Sequence, residues 1–202
     1  MKPNIKSGTH PYLIIDDWYE KDELNRVMIE LKSLSTTAMV RTEDGHGSTG
    51  KAHQFRIFPQ KIYSDFGLQN SPIFSCLKKQ QQKQFHDLVH ETFKDTGTAL
   101  SHQFVSTNTT DTIINYYEDS DEYKTHFDIF QFTIIIMLYR EPKSFEGGEL
   151  RLHNDTIECK NNRLVLFPGS YWHGVKPIKM IDNKDKGYGR YSISHFYFSK
   201  VY

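Results

Sequence analysis

Residues 111–139 read DTIINYYEDSDEYKTHFDIFQFTIIIMLY, and they contain three short segments that each predict a β-strand. The segments DTIINYY, EYKTHFD and QFTIIIMLY are rich in β-branched and aromatic residues and are separated by polar residues typical of turns. The same texture continues on both sides, in SHQFVST before them and in GELRLH, TIEC, RLVLFP, YWHGVKP and GYGRYSISHFYFSK after them. About nine short strands joined by brief turns favour a β-sandwich or a barrel.

The N-terminal half carries helical patterns instead. Residues 11–18, PYLIIDDW, predict one short strand, and residues 20–34, EKDELNRVMIELKSL, place apolar side chains at helical spacing. A second helix is predicted from Ser71-Pro72, a capping residue followed by proline in the first turn, toward Gly97.

These patterns predict a mainly β protein of the α+β class, formed as a single domain over residues 1–202. Residues 1–97 would supply the N-terminal strand and supporting helices, and residues 98–202 would supply the β core. With 202 residues, of which 37% are hydrophobic, the chain is long enough for one compact core and short for two. No internal repeat or linker divides it.

Composition argues against several partners and compartments. Lys plus Arg and Asp plus Glu both number 25, so the formal net charge is zero and neither a nucleic acid nor an acidic membrane is an expected partner. The chain has no signal-peptide pattern and no apolar stretch near the roughly 20 residues of a membrane helix, which predicts a cytoplasmic protein. The two cysteines, Cys76 and Cys159, form no CxxC pair and are expected to be reduced, structural thiols.

The segment His126-Phe127-Asp128 offers two potential metal ligands. Side chains alternate faces along a strand, so His126 and Asp128 point the same way and Phe127 points away. A third candidate, His173, lies on a later predicted strand that antiparallel pairing could bring alongside. Two histidines and one carboxylate are the facial triad of non-haem iron(II) oxygenases, although an HxD pattern alone is a weak signal because most strand histidines are simply packed.

The final strand offers an anion site. Alternation places Arg190 and Ser192 on one face, where a guanidinium can bind a carboxylate through two hydrogen bonds and a hydroxyl can add a third. A dicarboxylic co-substrate would need such a group, but without the triad an ordinary strand arginine would be the simpler explanation. Residues 41–51 are polar and rich in glycine, and we hypothesise that this loop is a substrate lid.

Four stretches in this order resemble the iron(II)/2-oxoglutarate-dependent dioxygenase superfamily, and in particular its prolyl 4-hydroxylase-like branch. They are YEDSDEYKTHFD at residues 117–128, FTIIIMLYREPKSFEGGELRL at 132–152, RLVLFPGSYWHGVKPI at 163–178 and GRYSISHFYF at 189–198. The resemblance covers the C-terminal half. The N-terminal YLIIDDWYEKDEL is similar to the family's usual beginning, although more weakly.

The resemblance implies a double-stranded β-helix, or jelly roll, with helices supporting one sheet. It implies that Fe(II) is bound by His126, Asp128 and His173, with 2-oxoglutarate as co-substrate, O2 as oxidant and ascorbate as a candidate reductant.

The resemblance also implies that Arg190, with Ser192 beside it, holds the distal carboxylate of 2-oxoglutarate. Tyr123 and Tyr117 match positions that often line the co-substrate pocket in the family. The interval between the distal histidine and Arg190 is longer than is usual in the family, apparently through the polar insertion KMIDNKDKG. Lys176 and Lys179 are therefore competing candidates for the basic residue.

The function implied is hydroxylation of an unactivated C–H bond, first of a prolyl residue in a peptide or protein and alternatively of a free amino acid or other small molecule. A nucleic-acid demethylase of the same superfamily is disfavoured, because those sequences carry a second arginine where this chain has Phe196, and because the chain has no basic excess. From other classes, a metal-binding jelly-roll module without turnover and a zinc hydrolase stay open.

Overall fold

The computed structural model describes residues 2–42, 52–59, 63–64, 67, 70–96, 100–181 and 186–200. The strands within these residues are β1 (Lys2–Lys6), β2 (Tyr12–Asp16), β3 (Val40–Thr42), β4 (Ala52–Ile57), β5 (Thr109–Tyr117), β6 (Glu122–His126), β7 (Phe132–Leu138), β8 (Phe145–Gly147), β9 (Leu150–Leu152), β10 (Asp155–Ile157), β11 (Arg163–Pro168), β12 (His173–Val175), β13 (Ile178–Met180) and β14 (Arg190–Phe198). The helices are α1 (Lys21–Thr37), α2 (Ser75–Gln80), α3 (Lys83–Phe93) and α4 (Leu100–Val105), with 3-10 turns at Pro72–Phe74 and Lys94–Thr96.

The strands form two antiparallel sheets that meet at β4. The larger sheet has the order β1-β2-β11-β7-β14-β5-β4, and the smaller one continues from β4 as β6-β12-β9-β10. β3 pairs with β4, and β8 pairs with β13 as a separate ribbon. This is the jelly roll that the resemblance implies. Strands from residues 2–57 lie in the same sheets as strands from residues 109–198, so both parts of the chain build the core.

Strand β7 shows why the larger sheet can be covered on both sides. All seven of its residues are buried, as expected for a strand with no solvent-facing side. Ile134 and Ile136 point into the apolar cluster under the helices, whereas Ile135 and Met137 point into the cluster between the two sheets. The isoleucine run therefore serves two cores at once.

The helices cover the outer face of the larger sheet. α1 contributes Val27, Leu31 and Leu34 to the cluster, at the helical spacing seen in the sequence, and α3 contributes Phe85 and Val89. A capping box at Glu20 and Glu23 satisfies backbone amides at the start of α1. The helical layer leaves the opposite face of the larger sheet free to line the space between the sheets.

Several local expectations need correction. SHQFVST was predicted to be a strand, but Leu100–Val105 is helical, because Ser101 and Phe104 are both buried at helical spacing against the other helices. The second predicted helix is divided into a 3-10 turn, α2 and α3, with a break at Gln81-Gln82. Part of the insertion after His173 forms β13 rather than a plain turn.

Residues 43–51 of the hypothetical lid lie outside the described part of the chain. Arg41 and Thr42, the first two residues of the predicted lid, belong to strand β3 instead. Among the described residues, no helix combines the length and the apolar character needed to cross a membrane.

Candidate metal and co-substrate site

His126, Asp128 and His173 converge on one point between the sheets. His126 ends β6 and His173 begins β12, and the two residues are direct partners in the antiparallel register. Their ligand atoms and those of Asp128 all lie within 4.8 Å of one another. His126 Nε2 is 3.6 Å from Asp128 Oδ1, and His173 Nε2 is 3.4 Å from Asp128 Oδ2. The three residues that the HxD pattern and the later strand predict are thus brought together.

Backbone carbonyls fix the orientation of both imidazoles. His126 Nδ1 is 2.9 Å from the carbonyl oxygen of Lys124, and His173 Nδ1 is 2.8 Å from that of Tyr171. A carbonyl can only accept, so each Nδ1 carries the proton and donates it. Each Nε2 is then left with its lone pair facing the common point, which is the tautomer that a metal needs.

Asp128 is held both at its carboxylate and at its backbone amide. Thr133 Oγ1 donates a 2.6 Å hydrogen bond to Asp128 Oδ2, and the Asp128 backbone amide donates to the carbonyl of Gly169 at 2.8 Å. Thr133 lies on β7 and was not predicted from the sequence. No motif marks it, because the contact arises only when the turn after β6 folds back beside β7.

Burial favours the neutral imidazole of His173, the form that can bind a cation. Desolvation lowers the pKa of His173 to about 4, and the charge of Asp128 opposes this shift. Two neutral imidazoles and one carboxylate form a donor set suited to a divalent transition metal, with positions left for further ligands. His126, Asp128 and His173 could therefore hold a metal ion.

Two glycines permit the close packing around this cluster. A Cβ on Gly174 would lie 2.7 Å from the carbonyl oxygen of Tyr123, and a Cβ on Gly169 would lie 2.2 Å from that of Phe130. A Cβ atom essentially never lies this close to a carbonyl oxygen, so only glycine fits at either position without a shift of the backbone. Gly174 directly follows His173 and lets β12 lie against β6.

A cavity of about 270 Å³ opens beside the three potential ligands. Its lining follows one face of β14 and β5: Ser192, Ser194 and Phe196 on β14 pair with Asn115, Ile113 and Asp111 on β5. Further residues contribute to the lining. They are Arg56, Phe58, Tyr117, Tyr123, Ile129, Phe130, Thr133, Ile135, Gly174 and Val175.

Arg190 continues the same face of β14 beyond Ser192 and is fully buried. Its guanidinium carbon lies 5.0 Å from the centre of the Tyr117 ring. Nε and both terminal nitrogens are buried without a hydrogen-bond partner, and no other described side chain leaves three nitrogens in this state. A buried guanidinium is costly unless an anion accepts its hydrogen bonds. The position fits the distal carboxylate of 2-oxoglutarate.

Of the other predicted co-substrate residues, Tyr117 and Ser192 lie near this guanidinium, whereas Tyr123 lies beside the potential metal ligand His126. Ser192 is buried and accepts a 3.4 Å hydrogen bond from Asn115 Nδ2. Burial raises the pKa of Tyr117, while Arg190 and Ser192 act in the opposite direction. Burial also raises the pKa of Tyr123, whose ring lies 4.3 Å from that of His126.

Lys176 and Lys179, the competing basic residues, are less buried than Arg190. Lys179 is exposed on β13, and Lys176 is only half-buried. Neither has the enclosed, anion-demanding environment that surrounds Arg190.

Comparisons with known proteins agree with the geometry. A sequence model of the 2OG-Fe(II) oxygenase superfamily matches residues 112–198, which include all three potential metal ligands and Arg190. The resemblance noted in the sequence is thereby confirmed. The matched family uses Fe(II), 2-oxoglutarate and O2, so the match implies these three for this chain, and it implies dioxygenase activity. No curated protein is significantly similar to the chain in sequence.

Three solved structures illustrate the fold. A prolyl-4-hydroxylase from Pseudomonas putida has a TM-score of 0.63 at 14% identity, covering 96% of this chain and 95% of its own. A 2OG-Fe(II) oxygenase family oxidoreductase from Burkholderia pseudomallei scores 0.58 at 15% identity, covering 93% and 85%. The collagen prolyl hydroxylase of Paramecium bursaria Chlorella virus-1, in its 2OG complex, scores 0.56 at 12% identity, covering 94% and 96%. At these identities the likeness shows the jelly-roll fold.

Proposed function

We propose that the protein is a hydroxylase that uses Fe(II), 2-oxoglutarate and O2 to hydroxylate an unactivated C–H bond, with a prolyl residue of a peptide or protein as the substrate. The observation that carries the proposal is the pairing of two features in one site. A cluster of two histidines and one carboxylate lies at the cavity. The guanidinium of Arg190, buried without a hydrogen-bond partner, lies farther along the face of β14 that lines the same cavity. A simple zinc hydrolase or a metal-binding module would have no need of that guanidinium.

The residues would divide the work as follows. His126, Asp128 and His173 would hold Fe(II), which with 2-oxoglutarate and O2 supplies the oxidant that removes a hydrogen atom from the substrate. Arg190 would bind the distal carboxylate of 2-oxoglutarate, with Ser192 donating a further hydrogen bond.

The two tyrosines would act at the co-substrate. Tyr117 would help to enclose it, and its raised pKa keeps its hydroxyl protonated and able to donate. Tyr123 would hold the imidazole of His126 in place through ring contact. Asp128 argues for hydroxylation rather than halogenation, because in the halogenating branch a small residue replaces this carboxylate to admit chloride.

The preference for a prolyl substrate rests on the motif similarity and on the two prolyl hydroxylases among the structures of like fold. A free amino acid or other small molecule is the alternative. The cavity volume of about 270 Å³ lies near the lower end of the range for ligand sites, which suits a single side chain or a compact molecule.

The test is succinate release from 2-oxoglutarate by iron-loaded protein, with ascorbate present, across proline-containing peptides and free amino acids. We expect release that depends on Fe(II), is lost in Asp128→Ala and accompanies a substrate mass gain of one oxygen atom. Arg151→Gln, an exposed arginine on β9, is the control and should retain activity. Wild-type protein that binds metal yet releases no succinate above background would favour the non-catalytic module.

A further inference from the structure

Arg56 places a positive charge in the cavity, separate from the buried guanidinium of Arg190. It lies on β4 opposite Asn115 of β5, at the place where the two sheets meet. Alternation along β4 buries Ile57 under the helices and turns Arg56 and Phe58 toward the cavity, which both of them line. Among the residues that line the cavity, Arg56 is the only arginine, and none is a lysine.

The guanidinium of Arg56 has no anionic partner among the described residues. Its carbon lies 5.2 Å from the centre of the Phe58 ring, and no described carboxylate lies within ion-pair distance of it. The side chain is half-buried and its surroundings in the cavity are largely apolar. A charge in such a place is stabilised when an anion is bound beside it.

The surrounding side chains are suited to an organic acid rather than to an inorganic ion. Phe58, Phe130 and Phe196 give the cavity aromatic surface, and Ile113 and Val175 add aliphatic surface. The other carboxylate in the lining besides Asp128 is Asp111, which is exposed and pairs with Phe196 at the far end of the β14 face. The positive charge of Arg56 therefore faces a largely apolar space, where a bound organic anion could neutralise it.

We propose that Arg56 binds a carboxylate of the substrate that is to be hydroxylated. The enzyme would then act on a residue that bears a free carboxylate, as in a free amino acid, an N-acylated amino acid or a C-terminal residue. The inference rests on the proposed function, and it narrows the substrate class: an internal prolyl residue has no carboxylate of its own to present to Arg56. The same chemistry could instead serve the 2-oxo acid end of 2-oxoglutarate, and the experiment separates these two sources.

The experiment measures binding to Mn(II)-loaded protein saturated with 2-oxoglutarate, because Mn(II) can replace Fe(II) without turnover. The probes are N-acetyl amino acids, N-acetylproline among them, each paired with its uncharged primary amide, and the readout is isothermal titration calorimetry. We expect at least one acid to bind roughly tenfold to a hundredfold more tightly than its amide, the range of a charge-assisted hydrogen bond. Arg56→Gln should remove this preference, Arg56→Lys should restore part of it, and Arg151→Gln should leave it unchanged.

Several outcomes would overturn the proposal. One is the absence of an acid preference throughout the panel, whether through equal binding or through no binding. Another is an Arg56→Gln protein that keeps the preference. A third is a loss of 2-oxoglutarate affinity in Arg56→Gln as large as that in Arg190→Met, which would assign Arg56 to the co-substrate. Succinate release by the wild type, measured separately, tests the oxygenase function, so failure of either proposal can be recognised by itself.

Discussion

At the scale of single residues, the arrangement of the candidate metal site depends on groups that touch the ligands rather than on the ligands alone. Both imidazoles donate from Nδ1 to the carbonyl two residues earlier in the chain, and the Asp128 carboxylate accepts from Thr133. Partners of this kind set the tautomer and direction of a ligand and commonly change metal affinity by about 10–100-fold when removed. Thr133 is the one that can be removed without disturbing the backbone.

Thr133→Val keeps the shape of the side chain and deletes its donor. We expect the dissociation constant for Mn(II) to rise about tenfold, because Asp128 loses the hydrogen bond that fixes its rotation. Direct titration of Mn(II) by electron paramagnetic resonance measures this, and circular dichroism checks that the fold is kept. Thr110→Val, a partly exposed change on β5, should leave the affinity unchanged. Equal affinities in Thr133→Val and wild type would mean that the hydroxyl does not position Asp128.

The role of Arg190 can be tested by changing the shape and the charge of its side chain. Arg190→Lys keeps a charge but replaces the planar pair of donors with a single ammonium, so we expect the KM for 2-oxoglutarate to rise about tenfold. Arg190→Met removes the charge and should abolish detectable saturation. Because Arg190 is unpaired in the structure, Arg190→Met should be no less stable than the wild type in thermal unfolding without ligands. A clear loss of stability would instead mark Arg190 as a structural residue.

At the scale of secondary structure elements, the site depends on how closely β12 approaches β6. His173 and His126 face each other only because Gly174 lets the carbonyl of Tyr123 come near. The register is irregular between His173 and Val175, so a local shift there would change the direction of His173.

Gly174→Ala should therefore separate the two strands at the ligands. We expect destabilisation of about 1–3 kcal/mol, the usual cost of inserting a methyl group into filled space, together with weaker Mn(II) binding. Urea unfolding and Mn(II) titration measure the two effects. Gly67→Ala is the matched control, because its Cβ would make only ordinary contacts, 3.4 Å at the nearest. If Gly174→Ala bound metal as well as Gly67→Ala does, the close approach of β12 would not be required.

The join between β2 and β11 carries a charge network that should show as acid sensitivity. Arg163 Nε donates to Asp16 Oδ1 at 2.6 Å, and Lys160 Nζ lies 2.9 Å from Oδ2. The hydrogen bond from Arg163 lowers the pKa of Asp16 to about 2. A lowered pKa stabilises the folded state above the pKa of the unfolded chain, and this contribution is lost as pH falls toward the folded value.

Asp16→Asn should thus lower the free energy of unfolding by about 1 kcal/mol at neutral pH, a value reduced for solvent screening. The difference from wild type should shrink as pH falls from about 4, near the ordinary pKa of an aspartate, to about 2, the pKa of Asp16 in the folded protein. Urea titrations at a series of pH values measure it. A difference that stayed constant with pH would show that the lost contacts, and not the charge, cause the change.

Elements with a clear local spacing of apolar residues could be predicted from the sequence. Elements that form only by pairing with another part of the chain could not. FTIIIML could only be a buried strand, and the spacing of Val27, Leu31 and Leu34 could only be a helix. Strand β1, KPNIK, has almost no apolar signal and exists because it pairs with β2. Helix α4 was mistaken for a strand because a window of seven residues shows the helical and the alternating period almost equally.

The same division applies to the site. The three potential metal ligands follow from an HxD pattern and a later strand, and the resemblance supplied Arg190. Thr133 and Arg56 were missed because their places at the site depend on the tertiary structure. The turn after β6 brings Asp128 to Thr133, and the pairing of β4 with β5 places Arg56 at the cavity. No spacing in the sequence encodes either arrangement.

At the scale of the whole molecule, the two layers have separate tasks that meet at the larger sheet. Its outer face packs on the helices, and its inner face carries the row from Arg190 to Phe196 beside the candidate metal site. The inner face contains a buried guanidinium without a hydrogen-bond partner and two buried imidazoles, so it contributes less to stability than a wholly apolar face would. Ligands that bind at this face should therefore raise the stability of the whole folded protein.

Mn(II) and 2-oxoglutarate together should therefore stabilise the protein more than the sum of their separate effects, because bound metal creates part of the 2-oxoglutarate site. With Mn(II) at about 100 times its dissociation constant, and 2-oxoglutarate at about 100 times its dissociation constant from the metal-loaded protein, each of the two successive binding steps adds about 2.7 kcal/mol. For a chain of this size that corresponds to a rise in Tm of roughly 5–10 °C per step, measurable by differential scanning calorimetry. At the same concentration 2-oxoglutarate alone should add less, because it binds the metal-free protein more weakly. Asp128→Ala should lose both increments, whereas Arg190→Met should keep the metal increment and lose only that of 2-oxoglutarate. If 2-oxoglutarate stabilised Arg190→Met as much as it stabilises the wild type, its distal carboxylate would have to be bound elsewhere, and the buried guanidinium would need another explanation.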